Sequence, residues 1–277
     1  MAPEGAPALV LAVPGAPSAA TRGLAEEVVS IARSELPGLD ARIGFVDGDD
    51  SEFPTLRSVL AHAAEERAAR YEQAVAAGLE VKQPDGPVAV VVPLLAGPDS
   101  ALLRHIRQSV MDSRVAAELT DVLGPHPLLA EALHVRLSEA SLARADRARL
   151  FTVATAADGI VLASVGGEEA VQAAGITGML LAARLAVPVM AAALDQEGSI
   201  ASVAEQLRSS GSQQLALAPY LIGPEIDAGL LAAAAEEAGC ATSEALGAYP
   251  AIGKLALAKY TTALGIAPQQ AQGTPAR

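Results

Sequence analysis

The sequence predicts an α/β protein built from two similar lobes, each a mostly parallel sheet of four strands flanked by helices, with a cleft between them. Three observations lead there. Apolar runs of five or six residues without polar alternation, such as Val88–Val92 in VAVVVPLLAGP, read as strands buried on both faces. These runs alternate with helix-length segments, the pattern of parallel sheets with right-handed crossovers. The pattern also occurs twice. Pro93-Leu-Leu-Ala-Gly-Pro98 lines up with Pro219-Tyr-Leu-Ile-Gly-Pro224 at an offset of 219 − 93 = 126. Leu123-Gly-Pro-His-Pro127 lines up with Leu246-Gly-Ala-Tyr-Pro250 at 123, Val10–Gly15 with Val161–Gly166 at 151, and Phe45-Val-Asp47 with Ala193-Leu-Asp195 at 148. The fall from 148 to 126 locates about 22 extra residues in the first copy, between Asp47 and Pro93.

Each element follows from its own signals. Ala8–Val13 is a strand, and Pro14-Gly15-Ala16-Pro17 breaks it. Ser18 is placed to cap a helix that runs to Leu36, where Pro37-Gly38 stops it. Ala41–Val46 is the second strand, and Asp47-Gly-Asp-Asp-Ser-Glu52 is an acidic loop at its end. A long helix begins near Pro54 with an apolar face through Leu56, Val59, Leu60 and Ala63. It continues as a charged, solvated stretch to about Gly78. The strand Val88–Leu95 leads to a helix from about Pro98 to Met111. A weaker strand at Val115–Val122 and a helix from Leu128 to about Ala140 close the first copy.

The spacing of Leu150, Val153, Ala154 and Ala157 predicts a connecting helix over 143–158. The second copy then runs strand Ile160–Val165, helix Glu168–Leu185, strand Val187–Leu194 and helix Ser199–Ser210. Strand Gln214–Ile222, helix Glu225–Ala238, a short strand at Ala241–Ala245 and helix Pro250–Leu264 complete it. The domains are therefore 1–142 and 159–270, joined by 143–158, with 271–277 as a tail.

Composition narrows the function. Aromatic residues are 3% of the chain and Trp is absent, which argues against base- or sugar-stacking platforms. The net charge of −13 disfavours nucleic acid and anionic membranes as partners. A single cysteine, Cys240, excludes an intrachain disulfide framework and a cysteine metal cluster. It fits a reducing, cytoplasmic setting and reads as a structural thiol. No segment reaches the length of a membrane span.

In open parallel sheets ligands sit outside the carboxyl ends of the strands, so the turn around Gly97 is the first place to look. Arg104-His105-Ile106-Arg107, just past that turn, could meet a ligand's carboxylates. Val165-Gly-Gly-Glu168 could hold an anion on free N–H groups, but it lacks the rest of a phosphate-binding fingerprint and reads first as a tight turn. The acidic loop Asp47–Glu52 lacks calcium-loop spacing and reads first as a solvated turn. Of four histidines, His62 and His134 fall within helices, His126 precedes one as a candidate cap, and His105 follows the Gly97 turn.

Together the strand and loop Val10–Gly15, Phe45-Val-Asp47 with Pro54-Thr-Leu56, Val90-Val-Val-Pro-Leu-Leu95 and Leu123-Gly-Pro-His-Pro-Leu-Leu-Ala-Glu-Ala132 resemble the class II chelatases, specifically the sirohydrochlorin cobalto- and ferrochelatases. The resemblance covers both halves. It implies a two-lobed α/β lyase of cobalamin or siroheme metabolism, with a carboxylated tetrapyrrole as ligand and a divalent metal, cobalt or iron, as substrate. Gly15, Gly97, Ser100 and Arg104, at the strand ends and just past the Gly97 turn, are the candidate ligand-binding positions. The family's first strand ends in Gly-His-Gly-Ser, where this chain reads Val13-Pro14-Gly15-Ala16. A second family histidine falls at or near Ala101. Insertion requires groups that hold a divalent metal and accept two pyrrole protons near neutral pH; imidazole does both, and proline and alanine do neither. Besides a small-molecule enzyme of another class on the same scaffold, two readings follow. One is a chelatase-like protein degenerate at the insertion site, a tetrapyrrole carrier or a partner of another protein or of a second copy. The other is an active chelatase with relocated groups: Asp47, Asp99 and His105 as metal ligands and His105 as the catalytic candidate. The acidic chain would then need Arg22, Arg104 and Arg107 to make a local positive surface for a polycarboxylate.

Overall fold

The structure, a computed structural model, describes residues 1–3, 5–144 and 156–266. The first lobe comprises β1 (Ala8–Val13), α1 (Ala19–Glu35), β2 (Ala41–Phe45), α2 (Leu56–Ala76), β3 (Ala89–Pro93), α3 (Ser100–Ser113), β4 (Ala117–Leu119) and α4 (Pro127–Glu139). The second comprises β5 (Gly159–Ser164), α5 (Gly167–Leu185), β6 (Val189–Ala193), α6 (Ser199–Ser209), β7 (Leu215–Pro219), α7 (Ala228–Ala238), β8 (Ala241–Thr242) and α8 (Pro250–Ala263). Both sheets are wholly parallel, in the orders β2-β1-β3-β4 and β6-β5-β7-β8.

The repeat is carried to the level of strand register. Val10 pairs with Arg42 and Val91, and Val161 pairs with Met190 and Leu217. These shifts are 161 − 10 = 151, 190 − 42 = 148 and 217 − 91 = 126. Val90 pairs with Glu118 and Ala216 with Ala241, a shift of 241 − 118 = 123. Because side chains alternate faces along a strand, one residue of slip would have turned each core set outward.

The central strands β1, β3, β5 and β7 each feed two layers. Leu9, Leu11 and Val13 of β1 face an inner core with α1 and α4, while Ala8, Val10 and Ala12 face an outer core under α2 and α3. The inner core continues without a break into the second lobe through Ile160, Leu162, Ile252, Leu255 and Tyr260. The lobes thus pack through a layer of four helices, α1 against α8 and α4 against α5. Gly253 permits the α1–α8 approach: a Cβ there would lie 2.6 Å from the Ile31 side chain and 2.9 Å from the Val28 carbonyl oxygen.

Several boundaries differ from the sequence reading. The strand expected over 115–122 shrinks to Ala117–Leu119 and that over 241–245 to Ala241–Thr242, both at sheet edges with one strand neighbour. The helix expected from Glu225 begins at Ala228, since Glu225 turns back to accept from the Ile222 and Gly223 amides and Asp227 caps the helix through the Gly229 amide. The helix expected from Pro98 begins at Ser100, with Asp99 as its cap. Ser18 caps α1 in a reciprocal capping box with Thr21. The connecting helix expected over 143–158 falls largely on 145–155 and the tail on 271–277, both outside the described residues. The flanking 143–144 and 156–158 are not helical.

Candidate functional site

The carboxyl ends of the strands in the two lobes meet around a local pseudo-twofold. Gly15, with φ +82°, follows β1, and a Cβ there would lie 1.8 Å from the Pro224 carbonyl oxygen. Its counterpart Gly166, with φ +118°, follows β5, and a Cβ there would lie 2.5 Å from the Pro98 carbonyl oxygen. Each lobe therefore presses a glycine turn into the Gly-Pro turn of the other. Only glycine tolerates both that backbone conformation and that approach.

Tyr220 fills the floor between these contacts. It stands where the first copy has Leu94, is 2% exposed and lies across Gly97. Its hydroxyl donates to the Ala96 carbonyl oxygen at 3.3 Å and accepts from Thr177 at 3.1 Å. Burial pushes its pKa up to about 12. The floor of the cleft is thereby reduced to a cavity of about 10 Å³, bordered by Gly97, Asp99, Val165, Tyr220 and Glu225. That is room for about one water molecule. Burial raises the pKa of the Glu225 carboxyl, against the lowering effect of the amides it accepts from.

The predicted site residues separate into those used by the fold and those on the open rim. Asp99 accepts from the Ala101 and Leu102 amides, both at 3.0 Å, and is engaged as a helix cap. Ser100 donates across the lobes to Glu169 at 2.8 Å. Gly15 and Gly97 lie against the opposite lobe. Arg22 pairs with Glu52 at 3.0 Å and lies over the Phe53 ring, so it is drawn into the acidic loop. Arg104 is exposed on the second turn of α3. Asp47 and His105 do come together, Oδ1 to Nδ1 at 3.7 Å, each about half exposed. The three proposed metal ligands do not converge as a set. Among the described residues no group of three His, Cys, Asp or Glu side chains could hold a metal ion, and the cap bonds of Asp99 explain its withdrawal.

The acidic loop is internally satisfied. Asp49 accepts from the amides of Ser51, Glu52 and Phe53, which lowers its pKa to about 2, and Asp50 accepts from the Thr55 amide. In the second lobe Asp195, the counterpart of Asp47, accepts from the Gly166 and Gly167 amides at 3.0 and 3.1 Å. The anion held by the Val165–Glu168 turn is thus the protein's own carboxylate. Asp47 makes no equivalent bond among the described residues and faces His105 instead, so the pseudo-symmetry breaks at the position where chemistry could occur.

The other histidines have structural partners. His126 caps α4, its Nδ1 accepting from the Leu128 amide at 3.1 Å. Buried His134 reaches the Arg144 carbonyl oxygen at 2.6 Å. His62 lies on α2 beside Glu66 at 2.9 Å. The role of Tyr220 is marked in the sequence only by its substitution for Leu94 in the repeat.

Two comparisons found nothing: no family model and no curated protein matches the chain. Solved structures do match. SirB from Bacillus subtilis with Fe3+ aligns with a TM-score of 0.61 at 14% identity, over 91% of this chain and 94% of that one. The sirohydrochlorin chelatase SirB from Bacillus subtilis subspecies spizizenii in complex with cobalt aligns with a TM-score of 0.59 at 12% identity, over 94% and 96%. The chain shares their fold along nearly its whole length.

Proposed function

We propose that this chain is a chelatase-like protein of tetrapyrrole metabolism, on the cobalamin and siroheme side, that binds a carboxylated tetrapyrrole without inserting metal into it. The observation that carries this reading is the closed floor of the cleft. Tyr220 and the two glycine–proline contacts occupy the strand ends, and on the sequence resemblance Pro14 and a residue at or near Ala101 take the places of the family's histidines. Insertion needs a metal held against the macrocycle and a base for two pyrrole protons. Asp99 is engaged in its cap, and the amides of Gly166 and Gly167 already hold Asp195. What is left on the rim suits binding. Arg104 and Arg107 are exposed cations on α3, and guanidinium groups recognise carboxylates bidentately.

A second reading rests on the Asp47–His105 pair. A carboxylate and an imidazole on one rim can hold a divalent substrate metal, and once the metal passes to the macrocycle the freed imidazole can accept one of the two pyrrole protons, the other leaving to water.

An absorbance titration with sirohydrochlorin, with and without cobalt(II), separates the readings. The expected result is a saturable spectral shift with insertion no faster than the uncatalysed rate. Insertion above that background would overturn the proposal in favour of the second reading, and His105→Ala should then lower cobalt affinity. Absence of any spectral shift would refute tetrapyrrole binding and leave a protein partner or a second copy as the object of search.

A further inference from the structure

The segment present only in the first copy builds a cavity at the opposite end of the molecule, the amino ends of the strands. The stripe of α2 that covers the sheet begins with Leu56, Leu60 and Ala63, all buried. The same stripe continues past the edge of the sheet as Arg67, Arg70, Tyr71 and Ala74, at the three- and four-residue spacing that keeps side chains on one face. In the second copy α6 is 11 residues long, against 21 for α2, and has no such continuation.

Beyond the sheet this stripe faces a cavity of about 430 Å³, closed by the N-terminal arm, the returning segment near Pro84 and Tyr260 of α8. The volume is within the usual range for small-molecule sites, roughly 300–1,000 Å³. Three hydrogen bonds tie its walls to the rest of the lobe and to α8. The Ala2 amide donates to the Pro37 carbonyl oxygen at 3.0 Å, the Ala8 amide to Val88 at 3.0 Å, and the Tyr260 hydroxyl to Pro7 at 2.6 Å.

Charge in this cavity runs against that of the chain. Arg67 donates to the carbonyl oxygens of Pro87 and Asp85, which orients its guanidinium without neutralising it. Arg70 has no carboxylate partner among the described residues. Lys82 pairs with Asp85 at 2.6 Å, and the lining carboxylate Asp40 is already held by Arg42 at 2.8 and 2.9 Å. Two guanidiniums with no carboxylate partner among the described residues line the cavity with Tyr71, on a protein of net charge −13, and form a surface for an anion that carries a flat apolar body.

We infer that the cavity between α2, the N-terminal arm and Tyr260 binds a small aromatic anion, an aryl carboxylate or aryl phosphate, with Arg67 and Arg70 on the anionic group and Tyr71 beside the ring. This site does not depend on the strand-end cleft.

The test titrates the intact protein with 8-anilinonaphthalene-1-sulfonate, an aromatic anion that brightens on leaving water, and then competes with salicylate or phenyl phosphate. One saturable site is expected in the wild type. Arg70→Glu changes an exposed residue and should weaken binding about tenfold or more, and Ala74→Trp should abolish binding by filling the cavity. Arg57→Glu makes the same charge change at the other end of α2 and should leave binding unaltered. Displacement by salicylate alone assigns a carboxylate ligand, and displacement by phenyl phosphate alone assigns a phosphate. No enhancement, equal enhancement in wild type, Arg70→Glu and Ala74→Trp, or displacement by neither competitor would overturn the inference. Circular dichroism melts confirm that each variant is folded.

Discussion

Replacing Gly15 with alanine puts a Cβ 1.8 Å from the Pro224 carbonyl oxygen. A carbon–oxygen contact needs about 3.3 Å, so that carbonyl must retreat by about 1.5 Å. It cannot swing aside alone, because Glu225 ties the same turn through the Ile222 and Gly223 amides. The retreat is therefore a movement of one lobe against the other. Alanine at φ +82° adds a backbone cost of about 1 kcal/mol, and overpacking a rigid contact costs typically about 1–3 kcal/mol. The expected loss is about 3 kcal/mol. Urea unfolding followed by far-ultraviolet circular dichroism measures it. Gly23→Ala and Gly175→Ala are the controls, since both lie in helices where an added methyl has nothing within 4 Å of it. Each should stabilise by about 0.5–1 kcal/mol. A Gly15→Ala loss below about 1 kcal/mol would refute the claim that this turn locks the lobes together.

Tyr220→Phe removes the hydroxyl that Thr177 donates to and should cost about 1–2 kcal/mol in the same urea assay, because the Thr177 hydroxyl is left buried without a partner. His126 has its pKa lowered, first by burial and then by Lys259. Its contribution to stability is therefore full above the unfolded value of about 6.5 and is lost as pH falls toward the lower folded value. His126→Asn keeps a good cap acceptor and should flatten the stability profile between about pH 7.5 and 5, as read from thermal melts; an unchanged slope would assign the titration elsewhere. Asp195→Ala removes the acceptor for the Gly166 and Gly167 amides and should speed hydrogen exchange at both, with β5 amides unaffected.

The architecture was legible because it is written in short-range signals. Buried runs, Pro-Gly breaks and capping residues such as Ser18 specify the elements, and the recurring landmarks specify their pairing. The offsets of 151, 148, 126 and 123 reappear as the spacing of paired residues because duplication copied register along with sequence. The site was legible only in part. Asp47 and His105 lie 58 positions apart and meet because β2 ends and α3 begins on the same rim. Asp99 is spent as a cap rather than as a ligand, and an Asp before Ser-Ala-Leu-Leu is an ordinary helix-start signal. Arg67, Arg70 and Tyr71 read as a solvated face because the chain that covers them, near Pro84, has no periodicity linking it to α2. Contacts between lobes are longer-ranged still: nothing local announces that the carbonyl of Pro224 faces Gly15.

The interdigitation of the lobes also has a consequence for how they stay associated. Because Gly15 with Pro224 and Gly166 with Pro98 are one contact made twice, each lobe carries both the knob and the socket, as the subunits of an isologous dimer do. The covalent connection between them supplies effective concentration rather than new geometry, converting a bimolecular encounter into an intramolecular one. It also allows the halves to diverge without losing each other. One copy could gain the long α2 and its returning segment, and the other could exchange a leucine for Tyr220, while a single chain still delivers one of each to every molecule.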